Sequence, residues 1–227
     1  MNSQKIIVAI DSFDQDQAIS IIEKLNPNLC KIKVGSVAFN SLGRGFLNIV
    51  SQKGFKIFLD LKFHDIPNTV HDSILAFSNC SIEMLTIHIS GGKKMIEQAV
   101  IAGKKINSKI IGVSVLTSLD EIDAIEIFHD NLESQAKRFF KMANQTEIDG
   151  IVCSPHELKL ANAFLPKEII KITPGIRNHP SSDDQVRTMN AAEAIRNGAS
   201  YIVIGRPITT AKDISVSLQD FINFIDE

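Results

Sequence analysis

A closed (β/α)8 barrel, an α/β fold of the TIM type spanning residues 1–227 as a single domain, is the architecture this sequence predicts. Three observations carry that expectation. Short apolar runs alternate with longer amphipathic segments from end to end, giving eight strand–helix pairs, and strands that alternate with helices pair in parallel. The 227 residues fall between the roughly 200 and ~250 that an eight-fold barrel uses. No Pro/Gly/Ser-rich linker or low-complexity tract divides the chain. An open doubly wound sheet is the competitor, but its fingerprint is missing. Gly43-Arg44-Gly45 is a lone G-x-G before a helix without the third glycine, and no P-loop sequence occurs.

The first strand spans 5–10 and ends at Asp11; a helix over about 14–25 follows, with Ser12 or Asp14 as its N-cap. The second strand is 30–34, and the helix over 42–51 is closed by Gly54. The third grows from the run 55–59, apolar but for Lys56, which reads as a buried parallel strand. Its helix is expected over 69–77, with Pro67 barring an earlier start. A fourth strand at 83–88 leads to Gly91-Gly92, which open a helix reaching about Lys105. The fifth, 110–116, precedes one or more helices between 119 and 145. The sixth is 150–153, and Pro155 starts its helix at a position where proline is tolerated. The seventh and eighth, 169–172 and 201–204, are each followed by a helical segment.

Composition narrows the function. Hydrophobic residues at 44% and charged residues at 22% suit a globular protein with a sizeable core. A net charge of −2 provides no overall positive field to draw in nucleic acid or an anionic membrane. The three cysteines, Cys30, Cys80 and Cys153, show no metal-type clustering and read as reduced residues of a cytosolic protein. The apolar run 6–10 is too short for a signal peptide, and no run approaches the ~18 residues that span a bilayer. A soluble, cytoplasmic protein without nucleic-acid or membrane partners is expected.

Chemistry should sit at the C-terminal ends of the strands. Asp60 and Lys62, two apart in an extended strand, share a face there. Desolvating such a pair is costly and seldom done for stability, although a structural ion pair is the plainer alternative. Asp65 follows as the chain turns off the strand. Asp11, Lys33, His88, Thr117, Arg177 and Arg206 occupy the other strand ends. Each alone reads as a solvated strand end, and His88 alone as a hydrogen-bonded structural histidine; their convergence on one mouth is harder to explain that way. Thr173-Pro174-Gly175-Ile176-Arg177 and Gly205-Arg206-Pro207 look like an anion site, where glycine allows close approach and arginine binds phosphate bidentately. Turn glycines beside surface arginines are the alternative. The polar stretch 178–184, carrying Pro180, reads as a lid.

Asp60-x-Lys62-x-x-Asp65 within Leu-Asp-Leu-Lys-Phe-His-Asp-Ile-Pro-Asn-Thr resembles the signature of the orotidine 5'-phosphate decarboxylases. So do Ala9-Ile10-Asp11, the segments 31–35, 88–92 and 115–118, Thr-Pro-Gly-Ile-Arg at 173–177 and Ile-Gly-Arg-Pro-Ile-Thr at 204–209, all in the family's order. The resemblance implies a short, bacterial-type enzyme that decarboxylates orotidine 5'-monophosphate to UMP with no metal and no cofactor. It implies that Lys62 protonates C6, that Asp60 lies beside the substrate carboxylate, and that Lys33 and Lys62 alternate with Asp60 and Asp65. Asp11 and Lys33 would bind ribose hydroxyls, Thr117 the pyrimidine, and Gln185, Gly205 and Arg206 the phosphate. Arg177 would contact the ligand or support the lid, and Ile66, Thr69 and Pro174 would complete the substrate contacts. The family also implies a homodimer in which Asp65 reaches the neighbouring site; spacing alone leaves Asp65 equally able to serve its own.

Direct decarboxylation leaves a carbanion with no adjacent carbonyl to delocalise it, so an ammonium held at that carbon suits the reaction. Two other readings compete. A Mg-dependent phosphosugar lyase of the same superfamily resembles this chain in its D-x-K-x-x-D, but uses an acidic residue for the metal where Lys33 stands, and a lysine repels a cation. A silent pyrimidine nucleotide-binding barrel would gain nothing from a carboxylate opposing its ligand's own.

Overall fold

The computed structural model describes residues 4–177 and 188–226. Eight parallel strands close into a barrel in strict chain order: β1 (Ile6–Ile10), β2 (Cys30–Gly35), β3 (Ile57–Phe63), β4 (Met84–His88), β5 (Lys109–Val113), β6 (Gly150–Val152), β7 (Ile170–Thr173) and β8 (Tyr201–Ile204), with β8 pairing back onto β1. The helices between them are α1 (Gln15–Glu23), α2 (Ser36–Gln52), α3 (Pro67–Leu75), α4 (Lys93–Lys105), α5 (Glu121–Phe128), α6 (Leu132–Asn144), α7 (Leu158–Phe164) and α8 (Ala191–Arg196). After β8 come α9 (Arg206–Thr209) and α10 (Ile214–Asp226).

The pleat sorts each strand's residues into two layers. Ile7, Ala9, Phe58, Met84, Ile111, Ile172 and Val203 fill the barrel interior. Their neighbours Val8, Ile10, Ile32, Val34, Ile57, Leu59, Leu85, Ile87 and Ile202 pack outward against the apolar stripes of the helices. Both faces of the sheet are therefore buried, which is why the strands read as continuous apolar runs. Cys30 and Cys153 are buried, Cys80 is half-buried, and all three are free thiols; burial pushes the Cys30 thiol up to about 12. No helix among the described residues is long and apolar enough to cross a membrane.

Several boundaries differ from the sequence expectation, each for a local reason. Helix α2 begins at Ser36, not Leu42, because Gly35 passes straight from strand to helix as the N-cap. Gly43, with φ 65° and ψ −165°, kinks α2 in its middle, so the lone G-x-G is a helix kink. Helix α3 begins at Pro67, two residues before the expected 69, since proline fits the first helical turn, where its missing N–H has no partner to lose. Strand β5 ends at Val113, three residues short of expectation. The segment after it splits into α5 and α6. Asp120 and Asp123 form a capping box at the start of α5, and His129 closes it in the left-handed conformation at φ 55°; Asn131 then caps α6.

Candidate active site

A cavity of about 600 Å³ opens at the C-terminal mouth of the barrel. Its floor is the inward row Ala9, Phe58, Val113, Val152 and Val203; its polar wall includes Asp11, Lys33, Asp60, Lys62, Thr117, Arg177 and Arg206. Among these, four cations face two carboxylates over an apolar base, an arrangement that favours an anionic ligand.

Strand β2 points Lys33 inward; its side chain is 13% exposed, and its ammonium lies 3.2 Å from Asp11 Oδ1 and 3.7 Å from Asp60 Oδ2. The same Asp60 oxygen accepts a hydrogen bond from Lys62 Nζ at 2.8 Å. Asp11, Lys33, Asp60 and Lys62 thus form one line of alternating charge across the mouths of β1, β2 and β3. Gly35 makes room for it: a Cβ there would stand 2.9 Å from Lys33 Nζ and 3.1 Å from Asp11 Oδ1. Burial pushes the Asp60 carboxyl up, but Lys33, Lys62 and the Thr86 hydroxyl together hold it below the usual carboxylate range. Asp60 is therefore ionised at neutral pH, although only 12% of its side chain is exposed.

The expected pairing of Asp60 with Lys62 holds, but not through a regular strand. The β3–β4 ladder passes from Leu59↔Leu85 to Phe63↔Ile87, so three residues of β3 oppose one of β4. Within this bulge Lys62 takes a left-handed backbone, φ 52°, a conformation that lysine rarely adopts and that concentrates at functional sites. His88, at the end of β4, stacks its ring 5.2 Å from that of His64. Burial, then His64 and Lys62, hold its imidazole below the usual histidine range, so it is neutral at pH 7. It lies outside the cavity lining, in keeping with the structural reading.

Across the mouth, Pro174, Gly175 and Arg177 after β7 and Gly205 and Arg206 after β8 complete the wall. Gly175 adopts φ 78°, and its carbonyl accepts from Met189 N–H while Arg177 N–H donates to Met189 O. These two bonds pin the loop after β7 to the segment leading into α8. Gln185 and the stretch expected to form a lid lie outside the described residues. Asp65, Ile66 and Thr69 do not line the cavity: all three are exposed on the β3–α3 turn and the start of α3. The Asp65 carboxylate accepts from Ile66 N–H at 2.6 Å. Among the described residues no cation lies within ion-pair distance of it. Lining residues that the sequence reading did not single out include Ser36 and Val37 at the start of α2 and Leu116 beyond β5, and Thr86 supports the charge line from below. Ser36 and Val37 were hidden by the misplaced start of α2; Thr86 carried no signal beyond its inward register in β4.

A closed parallel barrel that gathers lysines, aspartates and two arginines above an apolar floor at its strands' C-terminal ends is an enzyme barrel for a small anionic substrate. Residues 4–221 match the sequence model of the Orotidine 5'-phosphate decarboxylase / HUMPS family, and the chain belongs to that family. It is 41% identical over 213 residues to the orotidine 5'-phosphate decarboxylase of Marinomonas sp. (strain MWYL1), covering 92% of this chain and 91% of that one. The enzyme of the same name from Legionella pneumophila (strain Philadelphia 1) is 41% identical over 225 residues, covering 95% and 98%. Among solved structures, the orotidine 5'-phosphate decarboxylase from Lactobacillus acidophilus superposes with a TM-score of 0.88 at 31% identity, covering 99% of this chain and 100% of that one.

Proposed function

We propose that this chain, as one barrel over residues 1–227, converts orotidine 5'-monophosphate to UMP by direct decarboxylation without metal or organic cofactor. The observation that carries this reading is the Lys33–Asp60–Lys62 line, with the Lys62 ammonium 2.8 Å from Asp60 at the edge of an apolar-floored cavity. In the step itself the C6–carboxylate bond breaks, CO2 leaves, and the electron pair stays on C6. The Lys62 ammonium then delivers its proton to C6 and is reprotonated from solvent. Lys62 is suited to this because Asp60 and the bulge hold it before the charge develops, so little reorganisation accompanies the step.

Asp60 is assigned to the neighbourhood of the substrate carboxylate. At ~4 Å and an effective dielectric of ~20, two such charges repel by about 4 kcal/mol. Enzymes supply roughly 8–23 kcal/mol, so stabilisation of the carbanion by Lys62 must carry more than repulsion does. Asp11 and Lys33 are assigned to ribose hydroxyls, Thr117 to the pyrimidine, Gln185, Gly205 and Arg206 to the phosphate, and Pro174 and Arg177 to the ligand's flank. Binding energy from the phosphate, remote from C6, is available for ordering the site.

Asp65 is assigned to the active site of a second copy in a homodimer. Its exposure and its lack of a cation among the described residues support that assignment, and Ile66 and Thr69, on the same turn and helix start, would accompany it. Sedimentation tests the point: a protein that turns over as a monomer removes the trans assignment. We assign the protein to the cytoplasm, where nucleotide synthesis takes place.

The decisive experiment follows the ultraviolet absorbance of orotidine 5'-monophosphate with purified protein in EDTA. The spectrum should move to that of UMP, and Lys62→Ala should abolish the change while UMP still binds. Activity retained by Lys62→Ala overturns its role as proton donor. Turnover only of a phosphosugar acid after Mg2+ addition replaces the reading with the lyase, and bound UMP without turnover leaves a binding barrel.

A further inference from the structure

Thr86 stands in the middle of β4, wholly buried at 0% exposure, and is not part of the cavity lining. It is the one residue of β4 that faces the bulge. Leu85 pairs with Leu59 and Ile87 with Phe63, so Thr86 opposes Asp60, Leu61 and Lys62 together. A regular ladder cannot continue across three residues facing one, and the Thr86 side chain stands in for it. Its Oγ1 accepts a hydrogen bond from Lys62 N–H at 2.8 Å and donates one to Asp60 Oδ1 at 3.0 Å. The directions are forced: an amide N–H only donates, and a hydroxyl has a single proton to give.

We propose that Thr86 is a positioning residue for the decarboxylation, clamping the left-handed Lys62 backbone and the Asp60 carboxylate into one rigid unit. The Asp60 carboxylate is then oriented from two directions, Thr86 on Oδ1 and Lys62 on Oδ2. Lys62 is tied to the same carboxylate at both ends, through its backbone by way of Thr86 and directly through its ammonium. A hydroxyl that both accepts and donates is required. Valine has the same shape and does neither; serine does both. The inference rests on the decarboxylase reading for its effect on turnover, but not for its effect on Asp60.

Three proteins decide it: wild type, Thr86→Val and Thr86→Ser. Thr86→Val should lower kcat by about 100-fold, the loss typical of a small misplacement of reacting groups, with KM changed less than about 3-fold. Thr86→Ser should restore kcat to within about 3-fold of wild type, a rescue that a purely space-filling role does not give. Carbon-13 carboxylate titration of Asp60 should show a higher pKa in Thr86→Val than in wild type, because a hydrogen bond to the ionised form is gone. Should Thr86→Val not fold, Thr86→Ala takes its place with the same expected loss. An unshifted Asp60 titration overturns the clamp whether or not the protein is a decarboxylase. So does unchanged kcat in Thr86→Val beside an active wild type. An inactive wild type overturns the decarboxylase reading alone, and the clamp then stands or falls on the titration.

Discussion

Lys31 and Lys33 stand two residues apart on one face of β2, and both turn into the barrel. Lys31 lies at the bottom, 2% exposed, with its ammonium 2.7 Å from Glu83 Oε2 and 5.1 Å from the centre of the Tyr201 ring. Lys33 lies at the mouth, between Asp11 and Asp60. The bottom pair is closed on itself: Glu83, which has Lys56 3.8 Å away on its solvent side, meets the buried cation, and the aromatic ring covers the rest. The mouth is open. Its lysines share carboxylates with one another, and among the described lining residues cations outnumber anions around a cavity large enough for a nucleotide. Identical residue type, strand and face thus yield a plug at one end and a reactive surface at the other. The difference lies in whether partners saturate the charge or leave a field for a ligand to complete, in line with the division of barrels into a stabilising bottom and a catalytic top.

Substitutions that separate turnover from stability sharpen this contrast. The largest effect is expected from Asp60→Asn. Turnover should fall on the order of 10³-fold, as when one preorganised electrostatic group is removed. Unfolding free energy should change by less than about 2 kcal/mol, because Lys33 keeps Asp11 and the half-exposed Lys62 is left with only a weak, water-screened loss. Urea unfolding beside steady-state kinetics checks both, and a stability loss matching the loss of turnover would erase the distinction. Glu83→Gln should invert the pattern, with kcat within about twofold and stability lower by about 3 kcal/mol, since a buried ammonium is left unpaired. Lys31→Met is the milder partner. Methionine keeps the stem's packing and Glu83 retains Lys56 and water, so stability should stay within about 1 kcal/mol of wild type.

The smallest effect, a pH dependence, has the same sign at the two ends, stability rising with pH, but lies in opposite pH windows. Asp60 is held below its ordinary range: burial opposes this, and Lys33, Lys62 and Thr86 outweigh it. Its contribution to stability is present above about pH 3.9, the unfolded value, and is lost as pH falls through the folded one. Lys31 is also lowered, with burial outweighing Glu83. Its charged form is disfavoured in the fold, so stability rises as pH climbs through the folded value towards about 10.4. Urea midpoints against pH should show both slopes in wild type. Lys31→Met should flatten the alkaline rise and leave the acid loss; an unchanged alkaline slope would remove Lys31 from this account.

How much of this was legible beforehand differs by residue. Asp11, Lys33, Asp60, Lys62, Thr117, Pro174, Arg177, Gly205 and Arg206 do meet around one cavity, because strand ends in a parallel barrel converge wherever the strands lie in the chain. The start of α2 was not legible, since a helix that follows its strand with no loop offers no turn residue to mark it. The start of α3 lies at Pro67 and not at Thr69 because proline, which ends a helix interior, begins a first turn with the same side chain. The Lys62 bulge left no trace either. An extended strand and a bulged one are written with the same residues, and only the pairing with β4 tells them apart.

By itself, then, the order of apolar and polar residues determined an eight-fold parallel barrel, its two packed layers and the set of charges at its mouth, since burial and strand period are local properties of the chain. Tertiary structure alone decided which charges touch from strand to strand, Lys33 with Asp11 and Asp60. It set Thr86 opposite three residues of β3, turned Lys62 into a left-handed backbone and left Asp65 facing solvent. Those outcomes depend on register and closure between strands, and hydrogen bonds made across 24 or 26 residues of sequence have no local signature for a sequence to carry.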